Sequence, residues 1–136
     1  MSIKSISHIA YICKDMPKSL HFYCDILGFE KAFEFCNAKG KPWILYLKVC
    51  SGQFIELFYP DEGSEVVKAK NASYAHLCLE VDDIHKICDS IRAKGYPIFR
   101  EPIEGSDSNW QAWVIDPDGN QIEFMQIDPN SSQAKA

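Results

Sequence analysis

The sequence predicts an α+β fold of two repeated β-α-β-β-β modules, with the helices on one side of the sheets. Three observations carry that prediction. Eight short stretches rich in β-formers and bounded by turn residues read as strands, the first of them alternating with period two. A stripe at helical spacing follows the first strand of each half. The same order of elements then recurs at a near-constant offset: the helix-ending glycines Gly28 and Gly95 stand 67 positions apart in a chain of 136 residues.

Residues 3–13 alternate as a strand, with Ile9, Tyr11 and Cys13 on one face and His8, Ala10 and Ile12 on the other. Asp15 caps a helix, Pro17 lies in its first turn, and Met16, Leu20, Tyr23 and Leu27 form its core face. Strands are expected at 29–36, 42–49 and 53–59, around a loop at 37–41 and a tight turn at Ser51-Gly52. This first module spans 3–59, and a polar connection covers 60–72. The second module, 73–127, opens with a strand at 73–81. Asp82 or Asp83 then caps a helix carrying Ile84, Ile87, Cys88 and Ile91. A short strand is expected at 96–100, a loop at 101–108, and strands at 110–115 and 121–127 around the turn Asp116-Pro117-Asp118-Gly119-Asn120. The tail, 128–136, shows no packing face and reads as flexible. The whole is one domain.

Composition narrows the function classes. Apolar residues at 46% and charged residues at 24% are those of a soluble globular chain. A net charge of −5 and the lack of a Lys/Arg cluster argue against a nucleic-acid partner. No apolar run reaches membrane-spanning length, and the first residues enter a strand pattern without a signal-peptide core. Six cysteines with no C-x-x-C spacing read as packed free thiols, which places the protein in the cytoplasm.

Four residues stand out against this background. His8 and His76 are 68 positions apart, Glu56 and Glu123 are 67 apart, and each sits in a strand rich in apolar residues. Imidazoles and carboxylates are costly there unless they are paired or bound. On the fourth strand Phe54, Glu56 and Phe58 share a face opposite Ile55 and Leu57, and on the last strand Ile122 and Phe124 oppose Glu123. The aliphatic sets pack on the helices, so the four polar groups point the other way. Two imidazoles and two carboxylates suit Ni, Co, Zn, Mn or Fe(II) rather than Ca, and leave two positions on a six-coordinate ion for neighbouring substrate oxygens. His21 and His85 lie on the helices and read as solvated. Gly105-Ser106-Asp107-Ser108-Asn109, beside Trp110 and Trp113, reads either as a specificity loop or as an ordinary solvated loop.

Several motifs carry a resemblance over residues 3–127. They are Ser7-His8-Ile9-Ala10-Tyr11, Ser19-Leu20-His21-Phe22-Tyr23 with Leu27-Gly28-Phe29, Ile55-Glu56-Leu57, His76-Leu77-Cys78-Leu79-Glu80-Val81, and Asp116-Pro117-Asp118-Gly119-Asn120-Gln121-Ile122-Glu123. In these the chain resembles the vicinal oxygen chelate superfamily and, within it, the short bacterial glyoxalase I (lactoylglutathione lyase) branch. The resemblance implies paired β-α-β-β-β modules forming a curled mixed-sheet cup with the helices outside, a homodimer with sites across the interface, and a divalent metal held by His8, Glu56, His76 and Glu123. Nickel or cobalt is the ion it favours, with zinc a competitor. It implies methylglyoxal detoxification, in which a proton moves between adjacent carbons of a methylglyoxal–thiol hemithioacetal. Glu123 is then the main base, Glu56 serves the opposite face, and Trp110, Trp113, Phe54 and Phe58 contact substrate. Where the glutathione-using type usually carries Arg and Asn, this chain has Ile12 and Pro60; where some members carry Arg it has Ala72. The loop 101–109 supplies Glu101, Glu104 and Asp107 rather than cations.

Two other readings belong to the same superfamily. One is a different enzyme: an epimerase, which usually has Gln in place of Glu56, a thiol transferase, or a dioxygenase with three protein ligands to iron. The other is a drug-binding resistance protein, which generally lacks the ligands that this chain retains.

Overall fold

The computed structural model describes residues 5–61 and 74–136. The expected connection lies outside them from position 62 onward, as do Ala72 and the first residues of the two opening strands. The chain divides into two compact units, Met1–Val67 and Lys68–Ala136. Each holds one four-stranded mixed sheet, so the described residues form an α+β structure of two β-α-β-β-β modules.

In the first unit β1 (His8–Ile12) leads to α1 (Met16–Leu20) and then to β2 (Glu30–Cys36), β3 (Pro42–Cys50) and β4 (Gln53–Phe58). The sheet order is β1-β4-β3-β2, with β1 parallel to β4 and the other pairs antiparallel. A parallel neighbour needs a crossover, and the helix provides it. The Asp15 side chain caps α1 by accepting from the Lys18 N–H at 3.1 Å. Past Leu20 the helix widens, and over His21–Ile26 its hydrogen bonds span five residues, as in Leu27 N–H to Phe22 C=O. That widening rotates the buried face. The stripe expected at Met16, Leu20, Tyr23 and Leu27 becomes Met16, Ser19, Phe22, Tyr23 and Ile26, with Leu20 and Leu27 half-buried. Tyr23 stacks on Tyr11 and Phe29, and Leu45, Leu47, Ile55 and Leu57 bury the same side of the sheet. Each such side chain contributes about 1.5–3 kcal/mol by leaving water.

The second unit runs β5 (His76–Glu80), α2 (Ile84–Ala93), β6 (Arg100–Glu104), β7 (Trp110–Ile115), β8 (Gln121–Gln126) and α3 (Ser132–Lys135). Its order, β5-β8-β7-β6, repeats that of the first sheet, again with the opening strand parallel to the last. Asp83 caps α2, accepting from the His85 and Lys86 N–H groups, and Gln126 accepts from the Ile84 N–H at 2.9 Å. Ile84, Cys88 and Ile91 bury the helix face, opposite Ala112, Val114, Ile122 and Phe124.

Two expectations change here. The strand placed at 96–100 lies at Arg100–Glu104, across Pro102. Proline is tolerated because β6 is an edge strand, and its pairing with β7 shifts register between Arg100 and Ile103. The loop therefore shrinks to Gly105–Asn109. The tail, in turn, does have a packing partner, and it is polar. Buried Asn109 accepts from the Asp128 N–H at 2.9 Å and donates to Gln133 at 3.3 Å and Asp107 at 3.0 Å, while Ser131 caps α3.

Candidate metal centre

Each unit brings one imidazole and one carboxylate together by the same rule. In the parallel pair β1–β4, Glu56 is the direct partner of Ala10, and His8 is the direct partner of Phe54. His8 and Glu56 thus lie on one diagonal of one face, and their side chains close it: Nε2 of His8 stands 3.5 Å from Oε2 of Glu56. In β5–β8 the partners are Cys78 with Glu123 and His76 with Gln121, and Nε2 of His76 stands 2.9 Å from Oε2 of Glu123. Both carboxylates are buried, at 8% and 6% exposure, whereas the imidazoles remain partly open. Burial of this kind is costly for a carboxylate that has no partner. The His8 ring meets Tyr46 edge-on at 6.1 Å, and His76 meets Trp113 edge-on at 4.7 Å.

The donor chemistry fits a divalent ion. Two ligands bound cis to one cation at about 2.1 Å each lie about 3 Å apart. The separations of 3.5 and 2.9 Å bracket that value, so each His–Glu pair is spaced as two neighbouring ligands of one ion would be. Each unit offers two such donors, and no group of three or more His, Cys, Asp or Glu ligands forms among the described residues.

Strand register extends each pair into a row across the sheet. In the first unit the row is Ala10, Glu56, Tyr46, Phe33; in the second it is Cys78, Glu123, Trp113, Arg100. Phe33 stacks on Tyr46 at 4.4 Å, and Phe54 and Phe35 adjoin Tyr46 at 6.1 Å, which makes the face around His8 aromatic. Phe58 shares the face of Glu56, beside Trp43. The Arg100 guanidinium lies 5.6 Å from the Trp113 ring and 5.3 Å from that of Phe99. Trp113 also donates from Nε1 to Gln111 at 3.1 Å. Cys78, exposed at the surface as a residue, has its thiol partly withdrawn from water beside Glu123. That desolvation, the Glu123 charge and a hydrogen bond to Glu123 push its thiol up to about 12.

Of the expected contact residues, Trp113, Phe54 and Phe58 share a face with a ligand pair. Trp110 does not. It lies on the helix side of β7, with its ring 5.3 Å from His85 on α2. The loop after β6 is tied to the tail through Asn109. Sequence reasoning missed Cys78 and Arg100. The signal was available, because the 67–68 offset that pairs the ligands also pairs Ala10 with Cys78, Tyr46 with Trp113 and Phe33 with Arg100.

Comparison with known proteins agrees with this architecture. The chain is 36% identical over 116 residues to a protein of Synechocystis sp. named "Probable lactoylglutathione lyase", covering 82% of this chain and 87% of that one. It is 33% identical over 131 residues to a Vibrio cholerae protein of the same name, covering 93% of both. Among solved structures, that of SMU.1112c superposes with a TM-score of 0.78 at 26% identity, covering 92% of this chain and all of that one. No helix among the described residues is long and apolar enough to cross a membrane. Residues 5–124 match the model of one family, and the chain belongs to it: the Glyoxalase/Bleomycin resistance protein/Dioxygenase superfamily.

Proposed function

We propose that the chain is a metal-dependent, glyoxalase I-like lyase that shifts a proton between adjacent carbons of an α-hydroxycarbonyl. The substrate form would be the hemithioacetal of methylglyoxal with a thiol. The observation that carries this reading is the His–Glu pair that occurs twice, each at a separation suited to neighbouring ligands of one ion. In this reading His8, Glu56, His76 and Glu123 hold one nickel or cobalt ion, with zinc a competitor, in a homodimer whose sites form across the interface. When bound, the ion supplies the positive charge that stabilises the oxygen anion developing beside the carbon that loses its proton.

The protein's own groups do the rest. Glu123, buried and close to His76, takes the carbon-bound proton onto its carboxylate and delivers it to the neighbouring carbon. Glu56 does the same for the opposite face. The C–H electron pair forms a double bond between the two carbons while the old carbonyl's π pair moves onto its oxygen. That double-bond pair then takes the returned proton at the old carbonyl carbon, the hydroxyl proton passes to the old carbonyl oxygen, and a thioester of a 2-hydroxy acid results. The change is an isomerisation and consumes no other reactant. Phe54, Phe58 and Trp113 exclude water from the reacting carbons. Arg100 presents a cation to an anionic end of the substrate, whereas Ile12 and Pro60 supply none.

The test is an isomerisation assay on protein stripped of metal and reloaded with Ni, Co or Zn, using methylglyoxal with anionic and with neutral thiols. Restoration of turnover by nickel or cobalt is expected with at least one thiol. Absence of metal-dependent isomerisation with every thiol would overturn the reading.

A further inference from the structure

We propose that Cys78 is a positioning residue for Glu123, its thiol donating a hydrogen bond that holds the carboxylate against the His76 imidazole. The inference rests on the proposed role of Glu123 and deepens it. The parallel pairing of β5 with β8 makes Cys78 the direct cross-strand partner of Glu123, on the same face, so the thiol stands beside the carboxylate. The carboxylate is 6% exposed, so water cannot serve all of its acceptor sites. One oxygen, Oε2, is turned to Nε2 of His76 at 2.9 Å. The register sets the thiol beside the same carboxylate, where an S–H donor limits the rotation of a group otherwise held on one side only.

The other module serves as the internal control. There the cross-strand partner of Glu56 is Ala10, which has no donor, and the imidazole–carboxylate separation opens to 3.5 Å. A carboxylate that must meet a carbon-bound proton gains from being held in place, because misplacement of a base is costly in rate. The duplicated modules therefore differ where one carboxylate is assigned the larger share of the proton transfer.

The experiment reads the thiol directly. Its S–H stretching band falls in an infrared window free of other protein bands, and the difference between wild type and Cys78→Ala isolates it from those of the other cysteines. The band is expected at the lowered frequency of a hydrogen-bonded thiol and should rise in Glu123→Gln. In the metal-loaded enzyme, Cys78→Ala should lower kcat about three- to tenfold with KM unmoved, and Cys78→Ser, which keeps a donor, should recover most of that loss. A band at the free-thiol frequency that ignores Glu123→Gln would overturn the proposal. So would sulfur-to-cobalt charge-transfer absorption in the cobalt-loaded protein, since Cys78 would then be a ligand. The infrared measurement needs no substrate, so failure of the hemithioacetal assay would count against the proposed reaction and not against this contact.

Discussion

The two rows that cross the sheets, Ala10–Glu56–Tyr46–Phe33 and Cys78–Glu123–Trp113–Arg100, occupy equivalent places and differ in three of four residues. Only the carboxylate is kept. Around it the first module places a methyl group and two aromatic rings, whereas the second places a thiol, an indole and a guanidinium. In the proposed function the two similar halves thus preserve the carboxylate that would hold the ion and vary the side chains beside it. The first face suits an apolar group, and the second can orient a carboxylate and receive negative charge. The His–Glu separations follow the same division, looser at 3.5 Å and tighter at 2.9 Å.

The largest effect should come from the retained carboxylates. Glu123→Gln is expected to reduce kcat by about 10²–10⁴-fold with metal content largely kept, and Glu56→Gln to reduce it less. Steady-state kinetics beside metal analysis of each variant decides this; equal losses would erase the distinction between the modules. Next is stability. Asn109→Ala strips buried partners from Asp128, Gln133 and Asp107 in the second unit alone, and should cost about 1–3 kcal/mol in denaturant unfolding. Arg100→Ala should raise KM about tenfold for hemithioacetals of anionic thiols and leave neutral ones unchanged, whereas Phe33→Ala should not discriminate by charge.

The smallest effect is confined to the first module. The hydrogen bond from the Tyr59 hydroxyl to Glu34, at 2.7 Å, and then burial raise the Tyr59 phenol from about 10 to about 12. A phenol that binds its proton more tightly in the folded state stabilises that state below pH 10, and the contribution is lost as pH rises from 10 to 12. Tyr59→Phe should therefore flatten the alkaline fall in Tm over that window. An unchanged fall would assign it to other groups.

Much of this architecture was legible in the sequence because it depends on period and punctuation. Apolar stretches between turn residues located all the strands but one, Asp15 and the pair Asp82-Asp83 marked the helix starts, and the repeated offset found both His–Glu pairs. What escaped depends on long-range geometry. The widening after Leu20 is a backbone choice that brings Phe22 and Ile26 into the core, and spacing at 3.6 residues per turn cannot anticipate it. The strand across Pro102 was misplaced because proline reads as a breaker until the strand is known to be an edge. The tail lacked an apolar face, and its anchor, Asn109, is a polar side chain almost twenty positions upstream. Arg100 and Cys78 were marked only by the repeated offset, which carries Phe33 to Arg100 and Ala10 to Cys78; that they stand in one row with Glu123 is set by register, which appears once the strands are paired.

The central claim is that the two half-sites serve one ion. The most direct measurement is the metal content and affinity of protein purified without chelators, compared with His8→Ala and His76→Ala. The account predicts one divalent ion per chain in the wild type and a large loss of affinity in either variant, although the two histidines belong to different modules. Full metal binding after loss of either histidine, or none in the wild type, would contradict it.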